Sequence, residues 1–83
     1  MSYKYIHMVV IGFLPKTTIY SVNTNSNNDR IGIIKWYSMW RQYCFFPEAD
    51  TVWNKECLND VNEFIQVLMD KRKPTKGGRG GKQ

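Results

Sequence analysis

The sequence predicts a small α+β domain, an antiparallel sheet of three to four strands covered on one face by a C-terminal helix, with a disordered basic tail. Three observations predict it. Between Ile31 and Pro47 the chain reads Ile-Gly-Ile-Ile-Lys-Trp-Tyr-Ser-Met-Trp-Arg-Gln-Tyr-Cys-Phe-Phe-Pro, dense in the β-branched and aromatic residues that suit a pleated surface. Between Cys57 and Met69 the apolar residues return at helical spacing. Beyond Pro74 the chain is mostly glycine and cations, with nothing to contribute to a core.

The elements follow in order. In the first fourteen residues Tyr5, His7, Val9 and Ile11 alternate with Ile6, Met8 and Val10, so a strand here is apolar on both faces and reads as a central or interface strand. Gly12 weakens its end and Pro15 closes it. From Lys16 to Thr24, Thr18, Tyr20 and Val22 alternate with Ile19 and Ser21, a half-buried second strand. The polar run Asn23–Arg30 is a hairpin loop, because asparagine tolerates left-handed backbone and makes local turns. In the aromatic hairpin, Ile31, Ile33, Lys35 and Tyr37 point one way and Gly32, Ile34 and Trp36 the other. After a break at Ser38-Met39, Trp40, Gln42, Cys44 and Phe46 alternate with Arg41, Tyr43 and Phe45. Thr51-Val52-Trp53 is a candidate for one more short strand. Asn54 is a good N-cap with Glu56 in the first turn, and Leu58, Val61, Ile65 and Leu68 form a stripe that Cys57, Phe64 and Met69 widen. Lys71, Arg72 and Lys73 suit the carboxyl end of this helix, and Pro74 stops it. The organisation expected is an apolar strand or extension over 1–15, an α+β domain over 16–73 and a tail over 74–83.

The net charge of +5 is unevenly placed. Residues 71–83 hold Lys71, Arg72, Lys73, Lys76, Arg79 and Lys82 and no acid, which leaves six basic and seven acidic residues before them. The fold itself is therefore close to neutral and the charge belongs to an appendage. Cys44 and Cys57 are too few for a disulfide framework or a four-ligand zinc site and read as buried thiols, in keeping with a reducing cytoplasm. The apolar run Ile6–Leu14 is short and lacks a small-residue cleavage site, so it reads as a strand rather than a secretory core. No stretch is long enough to span a membrane.

Catalysis has little to use. The single histidine, His7, has no plausible nucleophile near it in sequence, no glycine-rich phosphate loop joins a strand to a helix, and Glu48 and Asp50 read as solvated acids in a turn. The protein is expected to be no enzyme and to need no cofactor or metal. Binding is better represented. A sheet covered by one helix leaves its other face open, where aromatic rings stack on bases and arginine contacts phosphate. Lys35 and Tyr37 on one strand, with Arg41 and Tyr43 on the next, are the candidates for such a platform. Trp36 and Trp40 read instead as core. The tail sequence Lys76-Gly77-Gly78-Arg79-Gly80-Gly81-Lys82 resembles part of an RGG-type segment, so Arg72, Lys73, Lys76, Arg79 and Lys82 join the candidates as backbone-binding cations.

The stretch Lys35–Pro47, of the form Lys-Trp-Tyr, two residues, Trp-Arg, one residue, Tyr, then an aromatic pair and Pro, resembles a family of small uncharacterised bacteriophage and prophage proteins. The similarity continues through Asp50-Thr51-Val52-Trp53 and Cys57-Leu58 to Val61 and Phe64. It begins near Lys16 and covers about two-thirds of the chain, leaving residues 1–14 and the glycine-rich tail outside it. The resemblance implies a phage-encoded or phage-derived protein of the host cytoplasm and brings no activity with it. Three functional expectations follow. The first is a non-enzymatic module that engages nucleic acid through the aromatic hairpin face and the tail. The second is a phage effector that binds a host protein or sequesters a signalling nucleotide. The third is a structural subunit, a homo-oligomer assembled through the N-terminal strand.

Overall fold

The computed structural model describes residues 2–72. The chain forms β1 (Ile6–Phe13), β2 (Thr18–Thr24), β3 (Arg30–Tyr37), β4 (Gln42–Pro47) and α1 (Lys55–Arg72). The four strands make one antiparallel sheet in sequence order, and the helix covers one of its faces. This is the α+β architecture expected from the sequence. The expected tail lies outside the described residues.

Each strand alternates between a helix side and an open side. The helix side carries Ile6 and Met8 of β1, Tyr20 and Val22 of β2, Ile34 and Trp36 of β3, and Tyr43 and Phe45 of β4. Cys57, Val61, Phe64 and Leu68 of α1 close over them. This stripe is rotated slightly from the expected one, since Leu58 is about half exposed. Asn54 caps the helix as expected, accepting the Cys57 N–H at 2.8 Å on its side-chain oxygen. The open side carries Val9, Ile11, Ile19, Ile33, Lys35, Tyr37, Cys44 and Phe46.

Gly32 is on the helix side because a ring needs its space. A methyl group there would overlap Phe45 and come within 3.3 Å of the Phe46 carbonyl oxygen. Phe45 is held in turn by an edge-on contact with Trp53, centroids 4.6 Å apart.

The connections explain where sequence expectations fail. Arg30 alone pairs with Asn23 and the ladder slips there, so Ile31 is an extra residue that falls into the core instead of staying on the face of Ile33. Asn28 takes φ 60° in the β2–β3 loop, the left-handed conformation expected of an asparagine there. Residues 51–54 form no strand. They cross from β4 to α1, with Val52 exposed and Trp53 folded inward on Phe45. β1 lies at the edge of the sheet rather than in its centre, with Val9, Val10, Ile11 and Phe13 exposed. Both cysteines are free thiols; Cys57 of α1 is buried against the sheet as expected, whereas Cys44 is only half-buried, because its strand face is the open one. No helix among the described residues is long and apolar enough to cross a membrane.

Candidate nucleic-acid interface

The antiparallel order gives the molecule two ends. One holds the start of β1, the β2–β3 loop, the segment after β4 and the start of α1. The other holds the β1–β2 loop, the β3–β4 turn and the end of α1. Arg72 ties the second end together: its guanidinium donates to the Lys16 carbonyl at 2.9 Å and lies 4.1 Å from the Trp36 ring centroid.

Charge separates along this axis. Lys16, Arg41, Lys71 and Arg72 sit at the second end with Asp70 as its acid. Asp29, Glu48, Asp50, Glu56, Asp60 and Glu63 lie at the first end or on the first half of α1, with Lys4, Arg30 and Lys55 among them. A near-neutral fold is therefore a basic end joined to an acidic one. The charge sum of the sequence conceals this.

The β3–β4 turn supplies the rings. Trp40 and Arg41 donate their N–H groups to the Tyr37 carbonyl at 3.1 and 2.9 Å, and Arg41 takes φ 56°. This compact turn pushes Trp40 outward, 67% exposed, beside an equally bare Met39. The Trp40 ring meets Tyr37 edge-on at 5.2 Å, and Tyr37 meets Phe46 at 6.0 Å, so a row of three rings runs from the open side of the sheet to the basic end. Lys35 extends over Phe46, its Nζ 5.0 Å from the ring.

The sequence candidates divide accordingly. Lys35 and Tyr37 share the open side, and Arg41 stands at the turn beyond them. Tyr43 does not join them. It is 6% exposed on the helix side, with its ring edge-on to Trp36, its hydroxyl accepting the Thr18 N–H at 3.2 Å and its own N–H donating to the Met69 sulfur at 3.4 Å. The cause is register. The four-residue turn pairs Tyr37 with Gln42 and Trp36 with Tyr43, so Lys35 and Tyr37 share their face with Gln42, Cys44 and Phe46. Trp40 moves the other way, from expected core to exposed turn. Arg72 is placed and structurally engaged, whereas Lys73, Lys76, Arg79 and Lys82 lie outside the described residues. Lys16 and Lys71 share this end without having been candidates, since only the topology brings the β1–β2 loop and the end of α1 to it.

The chain is 30% identical over 73 residues, 87% of its own length and 94% of the relative's, to an "Uncharacterized 9.3 kDa protein" of Acholeplasma phage L2. The chain belongs to this family of small phage proteins. No family model matches it, and no solved structure does. The phage similarity spans more of the chain than the two-thirds that the aromatic hairpin suggested.

A second polar cluster belongs to the opposite end of this phage protein. His7 places its ring nitrogens 2.6 Å from the Asn25 side-chain oxygen and 3.1 Å from that of Asn28. Asn25 in turn donates to the Tyr3 and Lys4 carbonyls at 2.6 and 3.1 Å. Arg30 donates to Ser21 at 3.0 Å, and Ser21 donates to Asn23. These bonds spend the polar groups on pinning the asparagine loop to β1, which is a structural task.

Proposed function

We propose that this phage protein is a non-enzymatic binding module that holds single-stranded nucleic acid at its basic end. The observation that carries the reading is the exposed Trp40, edge-on against Tyr37 and at the same end of the fold as Lys16, Arg41, Lys71 and Arg72. Exposed rings accept any base by stacking, and flexible cations beside them take the phosphates. The Lys-Trp-Tyr-x-x-Trp-Arg hairpin of this chain serves that purpose, because its turn delivers Tyr37, Trp40 and Arg41 to one place. In this reading Lys73, Lys76, Arg79 and Lys82, which follow Arg72 in sequence, add phosphate-binding charge.

Fluorescence anisotropy of labelled single-stranded DNA and RNA tests it. The full chain is expected to bind with steep salt dependence. Trp40→Ala is expected to weaken binding by about tenfold or more, as loss of one base-stacking ring does. Arg41→Ala is expected to lower the salt slope by roughly one ion. Tyr43→Phe is expected to leave binding unchanged. Absence of binding at low salt, or equal loss from Tyr43→Phe and Trp40→Ala, overturns the reading.

A second reading has one observation behind it. Phe13, Leu14 and Met39 are also bare at this end, and an apolar rim around cations suits a host-protein surface. Failure of both nucleic acids to bind would move the argument there.

A further inference from the structure

The sheet has two edges, and they are protected differently. β4 is six residues long, ends in Pro47, and has its Tyr43 N–H taken by the Met69 sulfur of the overlying helix. Short length, proline and a covering element are the usual means of blunting a strand edge. β1 is longer and carries no proline; of the usual devices it has a bulge between Val10 and Gly12, and Ser2 covers it at His7. It runs eight residues, Ile-His-Met-Val-Val-Ile-Gly-Phe, without a formal charge or a proline, and shows Val9, Val10, Ile11 and Phe13 to solvent. Among the described residues only Ser2 bridges to it, opposite His7, which leaves Met8–Phe13 without a strand on the outer side.

We infer that the occupant of this edge is a second copy of the same chain, with β1 pairing antiparallel to β1 about a two-fold axis and joining the two sheets into one. Charge selects this arrangement. At the end of the fold where β1 starts, the first half of α1 carries the Asp60 and Glu63 carboxylates. At the far end of β1 stand Lys16 and, bonded to its carbonyl, Arg72. Antiparallel pairing lays the acidic end of each copy beside the basic end of the other, and does so twice. A parallel pairing sets like against like. Lys4 at the acidic end, its ammonium 5.3 Å from the Tyr5 ring centroid, offsets one of these two charges and does not reverse their sign. An isologous contact also closes, giving a dimer instead of a filament.

In this dimer both helices lie on the same face of an eight-stranded sheet and run antiparallel. The two basic ends sit at opposite corners. The inference is independent of what those ends bind.

Sedimentation equilibrium of the full chain over a wide concentration range tests it in the absence of nucleic acid. The expected species is twice the 9.8 kDa monomer. Ile11→Lys puts a charge on the bare edge and is expected to give monomer with an unchanged circular dichroism spectrum. Glu63→Lys and Lys16→Glu are each expected to weaken association by about fivefold, each change counting twice under the two-fold symmetry. The double variant is expected to recover most of the loss. Recovery distinguishes charge-matched pairing from general stickiness. Where Ile11→Lys loses its fold, hydrogen exchange replaces it: amides of Met8–Phe13 are expected to slow with protein concentration while those of β4 do not. Monomer at all concentrations, open-ended oligomers, or a dimer indifferent to both the edge charge and the charge swap overturns the inference.

Discussion

Ile33 and Ile34 are neighbours in β3, and they belong to two different surfaces. Ile34 is completely buried between the sheet and α1. Ile33 faces the open side, half-covered by its neighbours on β2 and β4, Ser21 and Phe46. Both faces are apolar enough to have been the core. What separates them is the helix, whose Cys57, Val61, Phe64 and Leu68 stripe can cover only one. Apolar burial is thus decided by the one amphipathic element, and the face it leaves keeps its rings and aliphatics beside cations such as Lys35.

The largest effect that probes this difference is truncation of the two isoleucines. Ile34→Ala empties a space with no access to solvent and is expected to cost about 2–5 kcal/mol in urea unfolding. Ile33→Ala removes the same atoms from a surface that water already reaches, with an expected cost of about 1 kcal/mol. Equal costs would break the comparison, because they would mean that the open face is covered as fully as the helix face.

A smaller effect is expected at Gly32. Gly32→Ala puts a methyl group into the Phe45 ring, and that ring cannot move without displacing Trp53. Overpacking of this kind costs about 1–3 kcal/mol. The change is expected to lower the urea midpoint and alter the Trp53 fluorescence together. A lowered midpoint with unaltered tryptophan emission would place the relief elsewhere.

Much of this was legible in the sequence. Period-two alternation sorted Gly32–Tyr37 and Gln42–Phe46 into the right pairs of sets, because the ladder is regular there. Asn54, Asn28 and the helical stripe were legible because each depends on a local rule of capping, left-handed tolerance or spacing. Tyr43 was misplaced for a reason alternation cannot reach: which set of β4 faces Lys35 and Tyr37 depends on the number of residues in the turn. That number stayed hidden because Arg41, a non-glycine residue at φ 56°, gives no sign in sequence of closing the turn. Trp40 was lost with it, since a tryptophan in a strand reads as core and the same residue in a turn becomes surface. Ile31 escaped through the bulge opposite Val22 and Asn23. The polarity of charge was out of reach for another reason. Lys16, Arg41 and Arg72 are remote in sequence and come to one end of the molecule only after the meander has folded.

The smallest effect separates the faces by proton binding. Tyr20 lies on the helix side, its ring edge-on to Phe64 at 4.9 Å. Burial raises its phenol above the ordinary value near 10, the Tyr43 phenol adds to the rise, and the Thr18 hydrogen bond opposes it. The folded chain therefore holds this proton more tightly than the unfolded chain does. The corresponding stability is fully present below the ordinary phenol value and is lost as pH rises through the higher folded one. The melting temperature is expected to fall above about pH 10, and less steeply in Tyr20→Phe, which keeps the ring and removes the titration. Tyr3, raised by burial and by Glu63 and Asp60, accounts for part of the slope that remains. An alkaline limb as steep in Tyr20→Phe as in the parent would show that water reaches the Tyr20 hydroxyl as freely in the folded chain as in the unfolded one, and the helix would then cover less of β2 than its packing on Phe64 requires.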